Sequence, residues 1–109
     1  MEPVVLEFEQ DCQRHLDRFF LQWPNPIMQK RANKVLRLLR AAEKPLKGKV
    51  EGWAAGIIYF VWTDGRFPCG IPGVFNAEFS EFMGVAMETA RQRSGRVRDI
   101  VVFDGDRFQ

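Results

Sequence analysis

At 109 residues the chain fits one domain with a single core, and its two cysteines are too few for a disulfide framework. Hydrophobic content of 46% beside 28% charged residues is that of an ordinary globular protein. The net charge is only +2, but it is unevenly spread. Residues 1–26 carry five acids against Arg14 and Arg18, while residues 27–49 carry eight bases against Glu43 alone. Arg91, Arg93, Arg96 and Arg98 then fall within eight residues. Localised positive patches attract anionic partners even when the total charge is small. The start, Met1-Glu2-Pro3, is acidic where a secretory signal is basic, and no long apolar run follows it. A cytoplasmic protein with no membrane span is therefore expected.

In chain order, residues 4–21 read as an amphipathic helix. Val5, Phe8, Cys12, Leu16, Phe19 and Trp23 recur at three- and four-residue steps, with Glu7, Asp11, Arg14 and Arg18 between them. Pro3 suits its first turn, and Trp23-Pro24-Asn25-Pro26 stops it, because proline disfavours helical geometry in the residue before it. A second helix runs from 26 or 27 to 42. Its apolar stripe is Met28, Ala32, Val35, Leu39 and Ala42, widened by Leu36 and Leu38. Lys30, Lys34 and Arg37 share its other face, either as a solvated surface or as a phosphate-contacting one. Residues 43–49 form a basic connector broken by Pro45 and Gly48.

The stretch 52–62, Gly-Trp-Ala-Ala-Gly-Ile-Ile-Tyr-Phe-Val-Trp, is the centre of the reading. It holds no charge and no proline, so no side of it suits water. It is far shorter than the ~20 residues that span a bilayer, and a buried central helix is expected. Ala54, Ala55 and Gly56 allow close backbone approach. Its β-branched end, 57–62, fits a buried strand as the alternative. Residues 64–75 form a Gly/Pro-rich loop whose Phe67, Ile71, Val74 and Phe75 are expected to pack on the core; in the alternative, Phe67 and Ile71 are exposed and offer a docking patch for a protein partner. Asn76 is expected to cap a short helix over 77–83, with Glu78 near its positive end. Gly84 then turns the chain into a last helix, 86 to about 101, with Ala90, Ser94, Val97 and Val101 inward. Residues 102–109 read as a loose or extended tail.

Short helix, glycine turn and second helix have the layout of a helix-turn-helix, whose second helix enters the DNA major groove. Glu88, Gln92, Gly95 and Arg96 point away from the core, with Arg91 and Arg98 on one flank and Arg93 on the other. Gln92 suits adenine, and an outward arginine suits guanine or phosphate. No catalytic site, cofactor pattern or metal site emerges. His15 is the one histidine, Cys12 lies one turn from it without a second ligand pair, and Glu51, Asp104 and Asp106 assemble no triad.

Lys44-Pro45-Leu46-Lys47-Gly48-Lys49, Trp53-Ala54-Ala55-Gly56-Ile57-Ile58-Tyr59, Glu81-Phe82-Met83-Gly84-Val85 and Arg98-Asp99-Ile100 together resemble an uncharacterised family of small bacterial domains. Those domains carry a Leu-x-Gly-Lys segment, a Trp-Ala-Ala helix and a helix-turn-helix-like ending. The order of parts also resembles one cyclin-like repeat of transcription factor IIB. The resemblance implies an all-α, five-helix cyclin-like bundle and docking to nucleic acid or protein. The chain departs from the pattern at Ala86, where the family tends to have serine, at Gly95 inside the last helix, and in the longer loop 64–75. The expectation is a single helical domain, 1–109. It acts as a nucleic-acid-binding or transcription-related adaptor, with duplex DNA met by Lys30, Lys34, Arg37, Arg91, Gln92, Arg93, Arg96 and Arg98. The alternative is a protein-interaction module that binds no DNA.

Overall fold

A computed structural model describes residues 3–42, 46–63 and 71–104. Among them are five α-helices and no strand: α1 (Pro3–Gln22), α2 (Pro26–Ala42), α3 (Val50–Thr63), α4 (Asn76–Met83) and α5 (Met87–Arg98). A π-helical segment, Asp99–Asp104, continues α5. The expected all-α class is what the chain adopts, and the strand alternative for 57–62 is not.

α3 is the buried rod. Every residue from Gly52 to Val61 is buried, and so is Thr63, whose hydroxyl donates to the Tyr59 carbonyl at 2.8 Å. That bond satisfies a polar group that the core would otherwise strand. α1 and α2 pack on each other and on one side of α3, while α5 makes with α3 the most extensive contact in the fold. α4 touches α1, α3 and α5, and the π segment folds back on α2. Among the described residues, no helix is long and apolar enough to cross a membrane.

The apolar stripes meet as their spacing requires. Cys12, Leu16 and Phe19 of α1 and Ala32, Val35 and Leu39 of α2 are all buried. Phe19 anchors an aromatic cluster, lying 5.0 Å from Trp23, 5.8 Å from Trp62 and 5.7 Å from Phe79 between ring centroids. These edge and tilted contacts tie α1 to α3 and α4. Polar bonds fix α1 against α2 at the surface: Arg40 pairs with Glu9 at 2.8 Å, and the Gln13 amide donates to Asn33 at 2.9 Å.

Several local expectations are corrected. Asn25 does more than follow a stop signal, because its side-chain oxygen accepts from the Met28 N–H at 3.1 Å and so caps α2. Asn76 is the first residue of α4 rather than its cap. The cap is Phe75, whose N–H donates to the Glu78 carboxylate at 3.1 Å, half of a capping box. Ile71 and Val74 are buried, as core packing requires, so Ile71 is not available for docking; Phe75, expected to pack, is exposed instead, and Phe67 lies outside the described residues. Residues 102–104, expected in a loose tail, belong to the π segment.

Candidate nucleic-acid interface

The turn between α4 and α5 is tightly specified. Gly84 adopts φ +69°, the left-handed geometry that glycine takes without steric cost, and nothing crowds the place of its missing Cβ. The Gly84 and Val85 N–H groups donate back to the Glu81 and Ser80 carbonyls, and the Ser80 hydroxyl donates to the Val85 carbonyl at 2.6 Å. Ser80 therefore holds the turn from both sides. Ala86 caps α5 with backbone alone, and Glu88 lies in the first turn where the helix dipole favours an acid.

α5 buries Ala90, Ser94 and Val97, as expected, and exposes Glu88, Arg91, Gln92, Arg96 and Arg98. Among the described residues no acid pairs with Arg91 or Arg96. Arg98 meets Asp99 at 3.4 Å in a half-exposed pair, which contributes little in water.

Arg93 departs from the expected picture of a free flank. Its side chain lies along a groove in α3 and the turn before it, formed by Gly48, Gly52 and Gly56. A Cβ placed on Gly56 would stand 2.6 Å from the Arg93 Cβ, one on Gly52 3.6 Å from its Nε, and one on Gly48 would overlap its Nη2. Gly48 also needs to be glycine for its φ of +102°. The guanidinium lies 5.2 Å from the centroid of the Trp53 ring, within cation–π reach. Its Nε is shut off from water and finds no acceptor among the described residues. The four-residue spacing of these glycines was the available signal in the sequence, and only the close approach at Gly56 was read from it.

An open cleft of about 700 Å³ lies where this groove meets α5. Lys47, Arg93 and Arg96 supply its positive charge, Trp53 and Gly95 its wall, and Gln92 and Asp99 its remaining polar groups. The Trp53 indole N–H donates to the Lys47 carbonyl at 3.0 Å, which fastens the connector carrying Lys47 to α3. Lys47 was not among the expected binding residues, because its place beside α5 depends on a chain reversal that local sequence does not show.

The second basic cluster, Lys30, Lys34 and Arg37, is exposed on α2. Lys34 is engaged in an interaction within the chain. α2 and α5 share no substantial contact, so packing does not join the two clusters. Cys12 is fully buried, and burial pushes its thiol up to about 12. That suits a packed core residue rather than a ligand or nucleophile. Among the described residues, no group of three or more potential metal ligands comes together. Compared with protein-family models, curated proteins and solved structures, the chain matches none.

Proposed function

We propose that this chain is a small helical nucleic-acid-binding or transcription-related adaptor that meets duplex DNA through the outer face of α5. The observation that carries the reading is the outer face of α5, which follows a turn held by Gly84 and Ser80 and presents Arg91, Gln92, Arg96 and Arg98 to solvent. On this reading α4 and α5 act as a helix-turn-helix pair. The resemblance to small bacterial domains and to a cyclin-like repeat points the same way.

On this reading the arginines of α5 grip phosphates, Gln92 reaches base edges, and Arg93 stiffens the α3–α5 junction while turning one edge of its fork toward the cleft. Lys30, Lys34 and Arg37 form a separate patch that adds long-range attraction. The chain performs no catalysis. An Arg91→Ala/Arg96→Ala double variant, folded as the parent is, should bind duplex DNA at least tenfold more weakly in a gel-shift at low salt. Equal binding by the two proteins sinks the assignment of the surface.

A second reading, a protein-interaction module without DNA binding, draws on Leu21, Ile27 and Phe75, large apolar residues that are 84%, 73% and 79% exposed. Phe75 ends the loop first considered for docking and takes the place of Ile71 in that role. Light scattering after size exclusion, run beside the gel-shift, separates the two readings: self-association without a DNA shift selects the second.

A further inference from the structure

We infer that the cleft between the connector and α5 is a binding site for a single phosphoryl group, with Lys47, Arg93 and Arg96 as its cationic ligands. The inference deepens the nucleic-acid reading, on which it rests in so far as Arg96 and Gln92 belong to both. Three observations converge on it. Three cations line one cleft, and the single acid among its described lining residues, Asp99, has a carboxylate oxygen directed at Arg98, 3.4 Å away. Arg93 is held in place by the glycine groove and the Trp53 ring, so its fork is pre-organised for a planar face of an oxyanion.

The third observation is Gly95. Glycine inside a helix costs about 1 kcal/mol relative to alanine. Gly56 repays that cost by admitting α5, but a Cβ on Gly95 would meet nothing within 4 Å. No packing within the described protein explains this glycine. It lines the cleft, and its missing side chain leaves room for a ligand. A tetrahedral oxyanion fits the charge and the planar donors better than a nucleobase does, because the Trp53 ring is buried beneath the Arg93 guanidinium and offers no free face for stacking.

The test uses the full chain and inorganic phosphate at constant ionic strength, followed by NMR at the Trp53 indole N–H and the Arg93 Nε–H. Saturable shifts at these two signals are expected. Gly95→Leu fills the cleft without changing charge and favours the helix, so it should melt no lower than the parent yet lose the saturable response. Lys47→Ala, outside any helix, should weaken phosphate on the order of tenfold, as expected for one charged hydrogen bond. No saturation in the parent, or an undiminished response in both variants, overturns the inference.

Duplex DNA binding by the same proteins keeps the two claims apart. DNA binding without phosphate saturation removes the cleft site alone. Phosphate saturation without DNA binding removes the proposed function and leaves a site for a free phosphoryl ligand. Where both bind, competition between them assigns the group to the DNA backbone, and its absence assigns the site to free phosphate.

Discussion

Replacing Gly56 by alanine sets two opposing effects against each other at the α3–α5 contact. Helix propensity favours the change by about 1 kcal/mol. Against it, the new methyl would stand 2.6 Å from the Arg93 Cβ, 2.9 Å from the Arg93 carbonyl carbon and 3.0 Å from the Ser94 nitrogen. Carbon atoms in contact prefer about 3.5–4.0 Å. Two of these neighbours are backbone atoms, which no rotamer change can move, so α5 has to withdraw by on the order of 1 Å. Overpacking of this kind costs about 1–3 kcal/mol, and immovable neighbours place it at the upper end. The net loss is about 2 kcal/mol, which lowers Tm by roughly 10 °C for a domain of this size. Thermal unfolding followed by far-UV circular dichroism measures it. Gly95→Ala is the matched control in the partner helix, because its methyl enters open space and should stabilise by about 1 kcal/mol. A Gly56→Ala protein that melts at or above the parent's temperature refutes the packing argument.

Further outcomes follow from single bonds. Asn25→Ala removes the cap of α2 and should destabilise by about 1 kcal/mol, read by denaturant unfolding, while Asn25→Asp should stay near the parent. Ser80→Ala removes the hydroxyl that donates to the Val85 carbonyl and should cost about 1 kcal/mol, with faster amide exchange confined to the α4–α5 turn. The Cys12 thiol is raised from 9.0 to about 12, so the folded state holds a proton that the unfolded chain releases. Its contribution is fully present below pH 9.0 and fades as pH rises toward 12. The parent should therefore lose more stability over that range than Cys12→Ala does, and its thiol should react with a disulfide reagent only on unfolding.

How much was legible in the sequence depends on whether a signal is local. The all-round apolarity of 53–61 marks a buried segment without knowledge of its partners, though not helix against strand over 57–62, and the heptad-like steps of α1 and α2 fix which faces turn inward. The outward set on α5 followed from the same periodicity once Ala90, Ser94 and Val97 were placed inside. Contacts between distant segments were not legible. Periodicity sets Arg93 alone on one flank of α5, but only the apposition of α5 to Gly48, Gly52 and Gly56 shows that it is held rather than free. Lys47 joins the cleft because the Trp53 indole fastens its carbonyl. Ile71 sits in a segment rich in glycine and proline, where composition does not say which side chain folds under. Ile100 and Val101 continue the burial pattern of α5, and the widening of 99–104 to π geometry leaves no mark on an apolar repeat so short.

The most direct test of α5 as the DNA-contacting element is the salt dependence of duplex affinity. Phosphate contacts by Arg91, Arg96 and Arg98 predict a log–log slope of roughly −3 against salt concentration, falling toward −1 in the Arg91→Ala/Arg96→Ala protein. A flat slope in the parent, or the same slope in both proteins, contradicts the account.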